Sequence, residues 1–410
     1  MRSLLCHICV IACLGCGTQE PVKDEQSDTP RVDADADTDT DSDTDTDTDT
    51  DTDTDTDTDT DTDTDTDSVC GAPGVIPDFS APSGPSLSPV VSDADHSSDN
   101  IYAPDIVRVS DTVCLMYYGG QGGDGHDQIF LATSTDCQHF AHYPSDDSPV
   151  PVLTHGGSNH VNDPSVVIVG TTWYMYYTDA HTAEDDRVHL ATSTDGLSWT
   201  KQGEVLGVGA ADTWDDFKVG RPSVVHRDGQ FWLYYDGNDG TSRHVGVATS
   251  TDGRSFTKHP ANPLVLNAGA MDVEQVGGTW VMVHEGHTGT YALTSGDGLT
   301  WCDSGRIFGL SGASFDTYGQ VTPFIHTEDG SAWDGLFYGG ASDSCWCKNR
   351  VGIALPLGES LPADPDLGCE ACVAESDCTD ACRSGGHGID GFCATPGSTD
   401  PGACCACVDL

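Results

Sequence analysis

The pentapeptide Ala-Thr-Ser-Thr-Asp at residues 132–136 recurs at 191–195 and 248–252, and a looser copy, Leu-Thr-Ser-Gly-Asp, stands at 293–297. The aspartates of successive copies are 59, 57 and 45 residues apart, a spacing typical of supersecondary units that stack as repeats. The last three copies continue as Asp-Gly, which predicts a tight turn, and reach an aromatic residue three positions after the glycine. This repetition decides the fold class.

Two further elements recur with the pentapeptide. Aromatic-rich segments come before the copies, with a fifth near the end of the repeats, at 116–119, 173–177, 231–235, 280–283 and 336–339. Each unit opens with a short apolar segment, at 103–106, 163–166, 221–224, 271–273 and 321–324. Their β-branched and aromatic residues predict strands, and four short antiparallel strands per unit are typical of a propeller blade. We therefore expect an all-β domain over residues 70–360, a five-bladed β-propeller, with a β-sandwich as the less regular alternative.

The charge is divided unequally along the chain. The 410 residues contain 16 Lys+Arg and 67 Asp+Glu, a net charge of −51, which excludes a nucleic-acid surface built on phosphate neutralisation. Aspartate occupies every odd position from Asp33 to Asp67. Segment 17–69 cannot bury enough apolar surface to fold, so it is predicted to be a disordered, self-repelling spacer. Specific calcium binding by this run is not indicated, because it lacks an EF-hand pattern.

Residues 1–16 have the features of a secretory signal, with one basic residue, an apolar run and small residues before a cysteine. The ending Leu14-Gly15-Cys16 resembles a bacterial lipobox, which implies lipidation of Cys16, and Cys13 ends a competing match. We expect an exported lipoprotein at the outer membrane or cell surface, held by its lipid anchor, or else a secreted protein.

The strand openings and the Ala-Thr-Ser-Thr-Asp-Gly segments resemble the five-bladed glycosidases of the arabinanase and β-fructosidase superfamily, glycoside hydrolase family 43 and its relatives. Members use an Asp base, a second Asp that orients the site, and a Glu acid. The resemblance implies that Asp163 is the base or charge-setting acid and Asp105 the orienting acid. The Glu-Gly-Pro opening typical of the acid is absent, so Glu285 is the predicted proton donor, with Glu274 as the alternative.

Antiparallel pairing brings the start of each first strand and the end of each second strand to the same face. Several units then present acids to one axial mouth, and crowded carboxylates raise one another's pKa. The predicted substrate-binding residues are Arg221, Asp236, His284, Trp214 and Asp272. Structural alternatives stay open, because aspartates before Pro can cap turns and Glu285 can be a solvated loop acid.

Eight cysteines lie within 369–410, which in an exported chain predicts a small disulfide-rich module; zinc at Cys369 and Cys372 is the alternative. The spacing from Cys378 onward resembles the cysteine-stabilised αβ motif of defensins. That resemblance implies Cys378–Cys405 and Cys382–Cys407 bonds, Cys393 bonded to Cys369 or Cys372, and the remaining one of these two paired with Cys404. Six cysteines within 70–347 are compatible with three disulfides of unknown pairing.

Two functions are consistent with the sequence. The first is a glycan-acting propeller, a glycoside hydrolase with a carboxylate pair at the axial mouth and no cofactor. The second is a propeller that binds carbohydrate or protein without catalysis. The expected partner is a glycan, the protein is assumed to be a monomer, and the sugar, linkage and stereochemical outcome are not readable from the sequence.

Overall fold

The computed structural model describes residues 69–357, apart from 73, 83, 89–99, 123–124, 147, 183, 287, 345 and 347, and two strands near the C-terminus. The predicted lipidation at Cys16 and the spacer up to residue 68 lie outside the described residues. So do Cys345 and Cys347 and, in the cysteine-rich segment, Cys369, Cys372, Cys378, Cys382 and Cys404.

Contacts divide the chain into two units. The larger unit comprises the residues up to Ile76 and Ala81–Ala354, and the smaller one comprises Pro77–Ser80 and the residues from Leu355 onward. In the described residues both units consist of strands with almost no helix, and in the same ranges no helix is long and apolar enough to cross a membrane. The prediction of an all-β protein is confirmed.

Twenty-two strands follow one another along the described chain. They are β1 (Phe79–Ser80), β2 (Ile101–Ser110), β3 (Val113–Gln121), β4 (Asp127–Ser134), β5 (Ala141–His142), β6 (His160–Val169), β7 (Thr172–Ala180), β8 (Asp186–Ser193), β9 (Thr200–Leu206), β10 (Lys218–Arg227), β11 (Gln230–Asn238), β12 (Arg243–Ser250), β13 (Thr257–Lys258), β14 (Met271–Val276), β15 (Thr279–Gly286), β16 (Gly289–Ser295), β17 (Cys302–Gly309), β18 (Gly319–His326), β19 (Gly335–Ala341), β20 (Asn349–Pro356), β21 (Asp390–Cys393) and β22 (Cys405–Val408).

Five groups of consecutive antiparallel strands make up the larger unit. Groups 1, 2 and 3 are the four-stranded sheets β2–β5, β6–β9 and β10–β13, and group 4 is β14–β17. Group 5 contains β18–β20 and is joined to group 4 by a single pairing, between Gly286 and Gln320. The first strand of each group packs against the first strand of the next group: β2 against β6, β6 against β10, β10 against β14, and β14 against β18. The last of them, β18, packs against β2. This succession returns to its starting strand, so the curled sheets surround a common axis in a propeller-like arrangement.

The repeated motif contributes the same contact between successive groups. The tyrosines at the centres of β3, β7 and β11 are fully buried and donate hydrogen bonds to the glycine carbonyl of the next group's Asp-Gly turn. The three distances, from Tyr117, Tyr176 and Tyr234, are 2.7, 2.7 and 2.9 Å. In the turn itself, Asp195 accepts hydrogen bonds from the backbone N–H groups of Leu197 and Ser198. The Asp-Gly segments are therefore turns, as predicted, and each one also anchors a neighbouring sheet.

Two disulfides lie in the described part of the larger unit. Cys70–Cys302 joins a residue before the first sheet to β17, and Cys114–Cys137 joins β3 to the turn after β4. Leu87, which precedes group 1, pairs with Val351 of β20. The described residues that precede group 1 are thus held both by a covalent bond and by strand pairing.

The smaller unit contains two short pairings. Phe79 and Ser80 of β1 lie opposite Pro356 and Leu355. Farther along the chain, β21 pairs antiparallel with β22, and Cys393 lies opposite Cys405 in the backbone register. The disulfides implied by the defensin resemblance stay predictions.

Candidate active site

One residue near the start of each first strand has a left-handed backbone conformation. These five residues, with φ between 45° and 51°, are Ala103, Asp163, Arg221, Ala270 and Thr322. Such φ values are uncommon for residues with a side chain, and four of the five residues precede a proline, which disfavours the ordinary helical region. In the same four strands the register shifts at this point, so a bulge redirects the side chain.

The five left-handed residues and their successors line one axial cavity. Its walls come from β2, β6 and β10, from Ala270 and β14, and from β18, so all five groups contribute. Its volume is about 30 Å³, enough for one water molecule. Only a water molecule or a similarly small group therefore fits inside it. Among the five left-handed residues, Asp163 has an acidic side chain and Arg221 a positively charged one.

Two positions farther along four of the five first strands, a second ring of side chains connects neighbouring groups. Asp105, Ser165, Ser223 and Asp272 each accept a hydrogen bond from a backbone N–H of the next group. The donors, Val166, Val224, Val273 and Ile325, are 3.2, 3.0, 2.9 and 2.8 Å away. Asp105 and Asp272 thus occupy equivalent positions, whereas Asp163 belongs to the left-handed ring. The sequence treats Asp105 and Asp163 as similar strand openings, and the structure separates their surroundings.

The ends of the second strands provide a third set of contacts. Thr178, Asp236 and Glu285 occupy equivalent places, and each accepts a hydrogen bond from the N–H of the next group's left-handed residue. The distances are 2.8 Å to Arg221, 3.0 Å to Ala270 and 3.4 Å to Thr322. Thr178 also donates its hydroxyl to Asp163 at 3.1 Å. Glu285 therefore lies on the mouth side, where the sequence places it.

A chain of opposite charges runs along this rim. The guanidinium groups of Arg221 and Arg243 are each 3.5 Å from the Asp236 carboxylate, which is 4% exposed. Arg243 also forms an ion pair with Glu285. This network fixes the carboxylates of Asp236 and Glu285, while Asp163 has a hydroxyl donor and the electrostatic influence of Arg221.

Burial controls the acidity of the axial carboxyl groups. It raises the pKa of Asp163 to about 6, although Arg221 and the Thr178 hydroxyl oppose the change. Burial also raises the pKa of Asp272 to about 6 and that of Glu274 to about 7. The pKa of Asp105 lies well above its usual value because the group is buried and faces Asp272, and one of its oxygens lacks a hydrogen-bond partner. A proton can therefore be taken up or released here near neutral pH.

Two other predicted residues have local partners. The ring of His284 stacks on Tyr291 at 5.7 Å, its Nδ1 lies 3.0 Å from the Glu285 carbonyl, and burial lowers its pKa. Trp214 stacks on Tyr235 at 5.6 Å and covers Gly237 and Gly246, where an added Cβ would meet the indole. The indole thus packs on group 3 and the residues lining the cavity do not include it, while its role as a sugar platform stays a prediction.

Thr178 and Arg243 are the contributors that the sequence reasoning missed. Thr178 could have been found by aligning the second strands on their tyrosines, because it has the place of Asp236. Arg243 begins β12 and is 42 residues from Glu285, so no local pattern indicates their pairing. Among the described residues, no group of three or more His, Cys, Asp or Glu could hold a metal ion.

Parts of the chain match two family models. Residues 151–290 match Glycosyl hydrolases family 43, and residues 86–215 match the Glycosyl hydrolases family 32 N-terminal domain. A probable arabinan endo-1,5-alpha-L-arabinosidase B from Aspergillus fumigatus is 32% identical over 100 residues, which are 24% of this chain and 26% of that protein. An uncharacterized Mycobacterium tuberculosis protein is 27% identical over 161 residues, 38% of this chain and 53% of its own length. The chain thus spans about a quarter to a half of these curated relatives.

Solved structures extend the likeness to most of the chain. A family 117 glycoside hydrolase from Zobellia galactanivorans has a TM-score of 0.54 and 15% identity, over 70% of this chain and 93% of its own. A glycosyl hydrolase from Bacteroides ovatus has a TM-score of 0.53 and 17% identity, over 72% of this chain and 99% of its own. The protein therefore has the fold of solved glycoside hydrolases and carries, within it, a segment that matches family 43.

Proposed function

We propose that this protein is a surface-tethered glycoside hydrolase whose axial cavity is the active site of a five-bladed propeller. The observation that carries the proposal is the position of Asp163, a buried carboxyl group with a pKa of about 6 on the wall of a water-sized cavity. The five strand groups are taken as the five blades. The family 43 match and the glycoside hydrolase fold support a glycan as the substrate.

Glycoside hydrolysis needs one carboxyl group that donates a proton and one that is ionised. Above its pKa, Asp163 can act as the base toward a water or hydroxyl in the cavity, with the Thr178 hydroxyl donating to its carboxylate and the positive charge of Arg221 favouring its ionised form. Glu285 is the proposed proton donor. Because Arg243 pairs with Glu285 in this arrangement, proton donation requires the glycan to displace that guanidinium. Asp105 supports the site from the second ring.

One observation favours a second function, a propeller that binds carbohydrate without cleaving it. Asp236 and Glu285 are both engaged by arginines and by backbone N–H groups, and Asp105 and Asp272 hold neighbouring sheets together. In that case Asp163 and Arg221 would recognise a glycan at the rim and no proton would be transferred.

Turnover distinguishes the two functions. The purified full-length protein should be tested on arabinan, because of the arabinosidase relative, and on aryl arabinosides, xylosides and fructosides. Asp163→Asn and Glu285→Gln should each lower kcat by about 10²–10⁴, the range for loss of a general acid or base. Asp111→Asn, an exposed acid at the other end of the first strand, serves as the control. Glycan binding without turnover would favour the second function, and undiminished turnover in both variants would contradict the site.

The surface tether has a separate test. Cys16→Ser in the full chain should move the protein from the membrane fraction to the soluble exported fraction, because the acyl-bearing thiol is lost. Cys13→Ser is the matched control, and loss of anchoring only in that variant would assign lipidation to the other lipobox.

A further inference from the structure

A second cleft opens at the opposite ends of the strands that form the axial site. It lies between groups 3 and 4, beside the β10–β11 turn, the β14–β15 turn and the end of β16, and has a volume of about 290 Å³. Arg221 lines the axial cavity and Arg227 lines the cleft. The two arginines are six positions apart on β10, which corresponds to about 20 Å of extended strand. One sugar unit therefore cannot occupy both the cavity and the cleft.

The cleft combines an indole with planar polar side chains. Trp232 is partly exposed and is backed by Trp280, with ring centroids 5.4 Å apart. Gln230, Gln275 and Arg227 complete the polar wall. The Gln275 side-chain oxygen is buried without a hydrogen-bond partner, and within the part of the chain that the structure describes Arg227 forms one ion pair, with the exposed Asp228 at 3.9 Å. The cleft therefore offers an apolar face next to amide and guanidinium groups with spare hydrogen-bonding capacity.

This composition fits one chemical class of ligand. A sugar ring presents an apolar C–H face, which packs on an indole, and hydroxyl groups, which pair with planar amides and guanidinium. The lining carries Arg227 against Asp228 and Asp297, so its balance is one positive and two negative charges. A polyanionic glycan would be repelled by this excess of negative charge, whereas a neutral one would not.

We propose that the cleft around Trp232 is a second glycan-binding site, which holds a neutral polysaccharide chain while the axial site acts on another part of it. The proposal rests on the assignment of a glycan as substrate. Binding of the polysaccharide in the cleft does not itself require catalysis.

Affinity electrophoresis on native gels tests the proposal, because the chain carries a large negative charge and migrates freely. Full-length protein is run through gels containing debranched arabinan, arabinoxylan, inulin or, as the anionic arm, polygalacturonate. We expect a neutral polysaccharide to retard the wild type. Trp232→Ala and Gln230→Ala should each weaken this retardation about tenfold, the change that 1.4 kcal/mol produces. Gln202→Ala, which removes an exposed amide from another sheet, is the matched control.

Comparing the cleft variants with Asp163→Asn distinguishes glycan binding in the cleft from the activity of the axial site. That variant should keep its retardation, and Trp232→Ala should keep its turnover of small aryl glycosides. If Trp232→Ala fails to fold, Gln230→Ala and Arg227→Ala decide, since both residues lie at strand ends that flank the β10–β11 turn and neither is buried. Equal retardation of wild type and cleft variants, retardation by polygalacturonate alone, or a dimer lost in Trp232→Ala would overturn the proposal. Absence of turnover with retained cleft binding would overturn the hydrolase assignment instead.

Discussion

Replacing Asp163 with asparagine should change how the stability of the protein depends on pH. Burial raises the pKa of Asp163 from 3.8 to about 6. A shift of this size corresponds to about 3 kcal/mol against ionisation in the folded state, at 1.36 kcal/mol per pKa unit. The side chain is 7% exposed, so solvent screening reduces the effect little.

The sign follows from proton binding. The unfolded chain releases this proton near pH 3.8 and the folded chain near 6, so the folded state binds more protons in between. The contribution of Asp163 to stability is therefore fully present below the lower value and is lost as the pH rises through the higher one. Asparagine cannot ionise. The unfolding free energy of Asp163→Asn minus that of the wild type should thus rise by about 3 kcal/mol between about pH 3.5 and 7.5.

Urea unfolding followed by tryptophan fluorescence measures this difference at a series of pH values. The buried acids Asp105 and Asp272 are present in both proteins, so their contributions cancel in the subtraction. Asp195→Asn is the control with the opposite sign, because backbone N–H groups of Ser198 and Leu197 lower the pKa of Asp195. A difference that stays flat or falls with pH for Asp163→Asn would refute the reasoning about its burial.

Three further changes test the packing. Replacing Cys114 and Cys137 together by alanine should lower the unfolding free energy by about 3 kcal/mol for a loop of this length, measured by urea unfolding. Gly237→Ala should lower it by about 1–3 kcal/mol and reduce Tm, because its Cβ would lie 2.1 Å from the Trp214 ring. Asp272→Ala should cost about 1–3 kcal/mol by leaving a buried backbone N–H of the next sheet without an acceptor.

Each of these changes has a control within the chain. In the presence of a reductant, the wild type and the variant lacking Cys114 and Cys137 should have the same unfolding free energy. Gly84→Ala should leave Tm unchanged, since nothing lies within 4 Å of its added Cβ, and Asp111→Ala should leave the unfolding free energy unchanged. If Asp272→Ala has the same unfolding free energy as the wild type, the role assigned to the second ring is contradicted.

Local chemistry made much of the fold predictable. The Asp-Gly turns and the aromatic strands repeat at short range, and each turn is closed by contacts within three residues, such as those of Asp195. The equivalence of Trp280 and Trp173, which places Glu285 at the mouth, also follows from a pattern within single strands.

The candidate site could be predicted only in part, because its contacts join distant segments. The different surroundings of Asp105 and Asp163 depend on backbone bulges and on contacts with neighbouring segments, which spacing alone does not show. Trp214 looks like an exposed loop residue until Gly237 is seen to provide the space for its ring. Similarly, the partner of Glu285 comes from β12, in another sheet.

The disulfide between Cys70 and Cys302 determines which strand receives a mechanical force applied to the chain before Cys70. A pull on the chain preceding Cys70 passes through the sulfur bridge to the start of β17, the outermost strand of group 4. The strand pairing of Leu87 is thereby spared, and so are the first strands that line the axial cavity. A chain held from its N-terminal side in flowing liquid would therefore bear drag on a peripheral strand, while the shape of the cavity is preserved.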